Sequence, residues 1–172
     1  MAEYIIKVDT SDKEIGRIEK MEAHYTGELH RAFSILVFNS KKQLLLQKRH
    51  QEKYHSPGLL SNTCCSHPRF LESLQDAIHR RLKEEMGFDC ELSEIFSFTY
   101  QVNFDDHLME HEYDHVFIGF YDGEVIPNKE EVEEYKWVDM NQLKEEMSLN
   151  PELYTYWFKC LMARPEIENI NL

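Results

Sequence analysis

The stretch that decides the fold is Arg80-Arg81-Leu82-Lys83-Glu84-Glu85-Met86-Gly87-Phe88, with Glu72 placed upstream of it. Apolar residues recur at helical spacing before and within this stretch. A glycine then follows, and glycine readily adopts the left-handed conformation that ends a helix. The pattern therefore predicts a helix over residues 71–87, whose apolar side carries Leu71, Leu74, Ala77, Ile78 and Leu82.

The same stretch resembles the Nudix box, a signature of Gly, five residues, Glu, seven residues, Arg-Glu, an aliphatic residue, any residue, Glu-Glu, any residue, Gly and an aliphatic residue. Two positions depart from it, because Ser66 replaces the Gly and Arg81 replaces the second Glu. In the box, carboxylates one helical turn apart hold hard divalent cations against a diphosphate. Arg81 removes one such ligand and can grip phosphate directly, which favours holding a diphosphate over cutting it. The positions that match are Glu72, Arg80, Leu82, Glu84, Glu85, Gly87 and Phe88.

The alternative interpretation of this helix is that Glu84 and Glu85 are simply its solvated face, as most Glu-Glu pairs are. Seven matched positions favour the box.

The remaining apolar patterns predict strands and helices that share one core, an α+β protein. Residues 29–38 and 43–49 form a predicted hairpin around Asn39-Ser40-Lys41-Lys42. Residues 95–102 and 111–121 are predicted strands on either side of an acidic loop at Asp105 and Asp106. We expect one domain over residues 1–172. The other predicted elements are strands at 3–9 and 135–138 and helices at 141–147 and, after Pro151, 152–162.

Composition excludes several classes of protein. A net charge of −13 argues against a nucleic acid partner, because phosphate backbones are bound through Lys and Arg. No apolar run approaches the roughly 20 residues that span a bilayer. Four cysteines without a bridge pattern, and an N-terminus Met1-Ala2-Glu3-Tyr4 without a secretion signal, predict a reduced cytoplasmic protein. Several of the nine histidines fit ordinary surface positions, among them His50, His55 and His79.

The run Ser61-Asn62-Thr63-Cys64-Cys65-Ser66-His67-Pro68 places a proton-carrying thiol two residues from an imidazole that can bind a metal. Glu110 and Glu112 lie two apart on a predicted strand and so project from one side. Five mixed nitrogen and oxygen ligands suit a six-coordinate Mn²⁺, Mg²⁺ or tolerated Zn²⁺ with one open position. Taken singly, such histidines and acids are more often surface or core residues. The candidate ligands are His24, His30, His67, Glu110 and Glu112.

Together these motifs resemble type I isopentenyl diphosphate isomerase, the flavin-independent enzyme with a Nudix fold, a mixed sheet sandwiched by helices. The resemblance spans about residues 20–157 and rests on Glu28-Leu29-His30-Arg31-Ala32-Phe33-Ser34, the Cys-Cys-Ser-His-Pro run, the Glu-Glu-Met-Gly helix end and Glu110-His111-Glu112. It implies a metal bound by the five candidate ligands and proton transfer by Cys65 and Glu112, assisted by Tyr100. It further implies a second Mg²⁺ held by Glu85, phosphate contacts from Lys20, Arg49, Lys53 and Arg81, and Trp157 facing the hydrocarbon.

Such an isomerase moves a double bond by adding one proton and removing another on opposite faces of a flat substrate. A thiol and a carboxylate reach usable acidity for this only when burial and a metal shift their pKa values. Two rivals remain: a Nudix hydrolase of a nucleoside or related diphosphate, and a metal or diphosphate binding module without catalysis. Leu60-Ser61-Asn62, in place of the Trp-Thr-Asn usual in the family, and Ser66 alter the expected pocket wall. The order of the two proton transfers, the native metal, the downstream product and the number of subunits stay open.

Overall fold

A mixed nine-stranded sheet forms the scaffold in the computed structural model, which describes residues 1–104 and 107–172. The predicted acidic loop at Asp105 and Asp106 lies outside these residues. The strands are β1 (Tyr4–Val8), β2 (Glu14–Glu19), β3 (His30–Phe38), β4 (Gln43–Arg49), β5 (Leu60–Ser61), β6 (Cys64–Ser66), β7 (Leu92–Asn103), β8 (Met109–Phe120) and β9 (Val132–Asp139). The helices are α1 (Lys20–Thr26), α2 (Leu74–Met86), α3 (Met140–Leu149), α4 (Tyr156–Met162) and α5 (Pro165–Glu168), with a 3-10 turn at Pro151–Leu153.

Strand β3 brings together the motifs identified in the sequence. It pairs with β6 in antiparallel fashion, so that Ser34 lies opposite Cys65. On its other side it pairs with β8 in parallel, so that His30 lies opposite Glu112. Strand β8 pairs in turn with β7, where Tyr100 is the partner of Glu112. Residues distant in sequence therefore meet around a single strand.

Alternation along β3 divides the apolar core between the two faces of the sheet. Phe33, Ile35 and Val37 pack toward α2 on one face. Leu36 and Phe38 pack toward α3, α4 and α5 on the other. Because successive side chains of a strand point to opposite faces, one strand serves both layers. The predicted α+β architecture, a mixed sheet between helices, is confirmed. Among the described residues, none of the helices has the length and apolar character of a bilayer-crossing segment.

Helix α2 is confirmed at its C-terminal end, but it begins later than predicted. Gly87 ends it with φ 76°, as expected for a left-handed cap. At the other end Ser73 caps the helix by accepting a hydrogen bond from the Asp76 N–H. Leu71 therefore lies before the helix, 86% exposed and with φ 71°, and the prediction that it joins the buried face is wrong.

The C-terminal region also differs from the prediction of one helix over residues 152–162. After the 3-10 turn the backbone becomes extended, and the Thr155 N–H donates to the Leu60 carbonyl at 2.9 Å. This bond to β5 interrupts the helical ladder, so that α4 starts only at Tyr156. Helix α1, strands β2, β5 and β6 and the short α5 carried no periodic signal long enough to predict them.

Candidate active site

One cavity collects the predicted site residues, with His24 and His30 buried behind its wall. Its wall also contains Tyr54 and His55, to which the sequence assigned no role, and Ser66, which was expected to alter the wall. The predicted residues that line it are Lys20, Arg49, Lys53, Cys65, His67, Arg81, Glu85, Tyr100, Glu110, Glu112 and Trp157.

Three imidazoles and a carboxylate converge at one end of this cavity. His67 Nε2 lies 2.8 Å from Glu112 Oε1 and 3.2 Å from His30 Nε2. His24 completes a group in which one ligand atom from each residue lies within 4.8 Å of the others. Helix α1 and the start of β3 supply His24 and His30, and the segment after β6 supplies His67.

Backbone carbonyls fix the orientation of two of these rings. His24 Nδ1 lies 2.6 Å from the Lys20 carbonyl and His30 Nδ1 lies 2.8 Å from the Glu28 carbonyl. A carbonyl accepts the Nδ1–H and so leaves the Nε2 lone pair free toward the group. His24 Nε2 is buried and has no hydrogen-bond partner among the described residues.

The protonation states of this group suit a divalent cation. Burial lowers the pKa of His24 and brings the pKa of His67 to about 3, so both rings stay neutral. Burial alone would raise the pKa of Glu112, but His67 and His30 hold it well below its usual range. Burial opposes protonation of His30 too, yet its hydrogen bond with Glu112 leaves its pKa raised. Two neutral imidazoles, His24 and His67, beside an ionised carboxylate and an orphaned nitrogen fit a bound metal ion.

Strand β8 presents Glu110 and Glu112 from the same side, as predicted, and both are buried. The Tyr100 hydroxyl lies 2.6 Å from Glu112 Oε2 and 3.0 Å from Glu110 Oε2. Burial, reinforced by the two carboxylates, raises the pKa of Tyr100 well above its usual value, so its proton remains available to them. Tyr100 therefore holds both carboxylates in place.

Cys65 is held at the cavity wall by Asn62, which the sequence did not single out, and by Trp157, which it did. Its Sγ lies 2.9 Å from Asn62 Oδ1, which accepts, and 3.1 Å from Trp157 Nε1, which donates. The Asn62 amide donates to the carbonyls of Ile35 and Cys64, so its oxygen must face the thiol. Burial, with a further contribution from Asp114, raises the pKa of Cys65. The sulfur is thus a fixed, protonated thiol.

Four cations also line the cavity, in a part that we call the cation end, and several of them are already paired. Arg81 binds Glu85 and lies 2.7 Å from Glu131 Oε2, and Lys53 lies 2.9 Å from the same oxygen. Burial would raise the pKa of Glu131, but these two partners lower it to about 2. The remaining cations are Lys20, 3.9 Å from Glu3, and Arg49, which donates to the His55 carbonyl at 3.2 Å. No sequence pattern pointed to Glu131.

His55 corrects the expectation of a surface histidine. It is 7% exposed, and its Nε2 lies 2.9 Å from Glu110 Oε1. It belongs to the loop between β4 and β5, where no periodicity indicates which side chains are buried. His50 and His79 are half-buried.

The two departures in the pocket wall have different consequences. Ser66 lines the cavity directly. Leu60 packs against the core beside α4, and Ser61 accepts a hydrogen bond from Trp157 Nε1 at 3.0 Å. The Leu60-Ser61-Asn62 segment therefore anchors the indole and the thiol together. Glu72 and Arg80 of the box pair with each other at 2.6 Å and do not line the cavity.

Comparison with known proteins agrees with this geometry. A family model described as NUDIX domain matches residues 28–158. Two solved structures share the fold: DR0079 from Deinococcus radiodurans, with a TM-score of 0.72, 18% identity and coverage of 86% of this chain and 90% of that one, and a MutT protein from Methanosarcina mazei, with a TM-score of 0.67, 20% identity and coverage of 83% and 96%. Fold and family model together define a Nudix-domain protein.

Two relatives identify the family within the Nudix-domain proteins. An isopentenyl-diphosphate Delta-isomerase of Burkholderia multivorans is 51% identical over 164 residues, which cover 95% of this chain and 93% of the relative. A second protein of that name, from Photorhabdus laumondii, is 52% identical over 171 residues, with coverage of 99% and 97%. The chain belongs to the isopentenyl-diphosphate Delta-isomerase family.

Proposed function

We propose that the chain interconverts isopentenyl diphosphate and dimethylallyl diphosphate by paired proton transfers from Cys65 and Glu112. The observation that carries the proposal is that these two groups line one cavity from strands on either side of β3. Among the described relatives, proteins about 50% identical bear the name of this activity.

The spacing of the two groups supports this role. Cys65 and His67 are two residues apart, so their side chains project from one side of the chain about 7 Å apart. His67 in turn touches Glu112 at 2.8 Å. A flat hydrocarbon in van der Waals contact with a group on each side needs a gap of about 7 Å, twice the contact distance. The C5 chain would therefore lie between the thiol and the carboxylate.

In the proposed reaction one group adds a proton to the terminal methylene carbon of the substrate, and the double-bond electrons form that new C–H bond. The other group removes a proton from the methylene next to the oxygen-bearing carbon, and those electrons form the new internal double bond. One proton enters and one leaves, so no oxidant or reductant is required, and no flavin. The raised pKa of Cys65 and the lowered pKa of Glu112 leave a donor on one side and an acceptor on the other.

Trp157 lies close to both the thiol and one of the cations. Its N–H donates to Cys65, while the Arg49 guanidinium carbon lies 5.1 Å from its ring centroid. A positively charged intermediate beside an indole is stabilised by about 2 kcal/mol when water is excluded. Trp157 would therefore face the hydrocarbon near the thiol.

We further propose that His24, His30, His67, Glu110 and Glu112 hold Mn²⁺, Mg²⁺ or Zn²⁺, and that Glu85 holds a second Mg²⁺ near the diphosphate. When bound, the first ion would orient the Glu112 carboxylate and tune its acidity. The four cations Lys20, Arg49, Lys53 and Arg81 would bind the diphosphate oxygens. The chemistry requires a reduced Cys65, which agrees with the expected cytoplasmic location.

The test compares Cys65→Ala with Cys90→Ala, a thiol on the other face of the sheet. Both variants and the parent protein receive isopentenyl diphosphate with Mg²⁺ and Mn²⁺, and both dimethylallyl diphosphate and released phosphate are measured. We expect Cys65→Ala to lose isomerisation by about 10²–10⁴-fold, the usual worth of a positioned acid or base, while Cys90→Ala retains it. Phosphate release that survives Cys65→Ala would instead identify a hydrolase.

A further inference from the structure

His55 lies against the metal end of the cavity without a role in the reaction described so far. Its Nε2 is 2.9 Å from Glu110 Oε1. With His24 and Glu110 it forms a second group whose ligand atoms all lie within 4.8 Å of one another. His24 belongs to this group and also to the group of His30, His67 and Glu112, so the two groups meet at one ring.

The buried Nε2 of His24, the residue shared by the two groups, indicates that a cation binds between them. His24 Nε2 is buried, lacks a hydrogen-bond partner among the described residues, and lies 3.9 Å from Glu110 Oε1, the oxygen that His55 approaches. A buried polar nitrogen without a partner costs about 1–3 kcal/mol. A cation placed among these atoms would satisfy the nitrogen and balance the charge of Glu110.

We propose that His55 is a fourth imidazole ligand of the metal centre, in addition to His24, His30 and His67. The inference rests on the metal site of the proposed function and deepens it. The ion would then be held by four imidazoles and two carboxylates, from Glu110 and Glu112.

The distances within each of the two groups suit coordination of an ion, and a shared ion at His24 would draw the two groups together. Neighbouring ligand atoms of an octahedral ion with bonds of about 2.1 Å lie roughly 3 Å apart. The separations are 2.9 Å for His55 with Glu110, 2.8 Å for His67 with Glu112 and 3.2 Å for His30 with His67. Within each group, neighbouring ligand atoms are therefore already close to the spacing that an ion requires.

The His55 ring is held in this orientation by its surroundings. It stacks on Phe104 with centroids 4.9 Å apart and an interplanar angle of 8°, and Trp157 packs edge-on at 5.5 Å. Its carbonyl accepts from Arg49 at 3.2 Å. These contacts direct Nε2 toward Glu110 and away from the hydrocarbon side.

A sixth protein ligand changes what the site can do. A centre with five protein ligands leaves one position for solvent, whereas six protein ligands close it. Solvent near a developing carbocation would trap it, so a closed centre protects an isomerisation. His55 would thereby distinguish this site from an open, hydrolytic one.

The experiment uses Co²⁺ alone as the probe, titrated into metal-free protein. In the parent protein we expect the weak visible absorption of six-coordinate Co²⁺ and an X-ray absorption fine structure that contains four imidazoles. His55→Ala should give the stronger absorption of a five-coordinate ion and lose about 100-fold or more in Co²⁺ affinity, because even partners that only support a ligand are worth 10–100-fold.

His55→Gln separates ligation from mere orientation of Glu110. Glutamine keeps a donor that can reach the carboxylate, so Co²⁺ affinity and spectrum restored by His55→Gln would overturn the proposal. Three imidazoles in the parent spectrum would overturn it as well, even if His55→Ala does not fold. His79→Ala is the matched control, because this half-buried ring is bonded to Asp89 outside the cavity. It should change neither the Co²⁺ affinity nor the Co²⁺ spectrum.

Isomerisation is measured separately on the same samples. A six-coordinate Co²⁺ site in a protein that makes no dimethylallyl diphosphate would support this inference and count against the proposed function. Active protein with a five-coordinate site would count against this inference alone.

Discussion

The metal end and the cation end of the cavity differ in their electrostatics. At the metal end, His24 Nε2 and His67 Nδ1 are buried without partners among the described residues, and two carboxylates share one tyrosine hydroxyl. At the cation end, Arg81 and Lys53 are already paired with Glu131, and Arg81 also with Glu85. One end lacks a positive charge, whereas at the other end Arg81 and Lys53 are already paired with carboxylates.

This difference predicts different kinetic effects. The metal end gains partners when an ion binds, so changes there should reduce metal affinity and kcat. The cation end must exchange internal partners for a diphosphate, so changes there should appear mainly in KM.

The largest effect is expected at the metal end. Glu112→Gln removes a proposed ligand and a proposed proton carrier together, and kcat should fall by about 10⁴-fold, the upper range for general acid-base catalysis. Steady-state kinetics and Mn²⁺ titration measure the two losses. Glu134→Gln, at an exposed position on β9, is the control. If Glu112→Gln keeps its kcat and only raises KM, the predicted kinetic difference between the metal end and the cation end is wrong.

Arg81→Gln examines the cation end. A hydrogen bond to a charged group is worth about 1.5–3 kcal/mol, so KM for the substrate should rise by about 10–100-fold while kcat changes by only a few fold. Inhibition by inorganic pyrophosphate should weaken in parallel. An unchanged KM with a large loss of kcat would assign Arg81 to the chemistry instead.

Glu131→Gln also tests the cation end, but it removes a carboxylate partner of the cations instead of a cation. The substitution removes the carboxylate shared by Lys53 and Arg81, so Lys53 becomes free for phosphate, Arg81 keeps only its pairs with Glu84 and Glu85, and KM should decrease by a few fold. Glu133→Gln is matched to it, because Glu133 pairs with Lys48 at 3.5 Å outside the cavity. If Glu131→Gln raises KM instead, Glu131 helps to bind the substrate or its Mg²⁺.

The smallest effect concerns stability in acid. The pKa of Glu131 falls from an ordinary 4.5 to about 2 in the folded protein, so its ionised form stabilises the fold above about pH 4.5. That contribution is lost as the pH falls from about 4.5 toward 2. The free energy of unfolding of metal-free parent protein should exceed that of Glu131→Gln by about 1 kcal/mol or less at pH 5, and the difference should vanish near pH 2. Urea titrations across this range measure it, and a difference that grows as the pH falls would contradict the assigned pKa.

The sequence predicted the scaffold better than the loops. Helix α2, the β3–β4 hairpin and β7 to β9 carry long periodic patterns and capping residues, which reflect local physics. Leu71 and the region around Tyr154 differ because a side-chain cap and a bond to β5 override apolar spacing. These are tertiary or single-residue effects that periodicity does not encode.

The site residues likewise divide into those that stand in sequence motifs and those that only tertiary contacts identify. The candidate ligands and the thiol stand in motifs, so their residues could be chosen from the sequence. His55 and Glu131 act through contacts with residues far away in the chain, and nothing in their neighbours marks them. Asn62 stands in the thiol motif itself, but no pattern there indicates that its side chain binds the sulfur. Only the pairing of strands around β3 reveals which side chains share the cavity.

Deuterium transfer tests most directly whether the metal end carries the proton chemistry. Isopentenyl diphosphate is incubated in D₂O with metal-loaded protein, with the same protein after chelation, and after Mn²⁺ and Mg²⁺ are returned. We predict deuterium in the product and in recovered substrate for the loaded protein, none after chelation, and full recovery when metal is restored. Deuterium incorporation that persists in the chelated protein, or cleavage of the diphosphate without incorporation, would contradict the account.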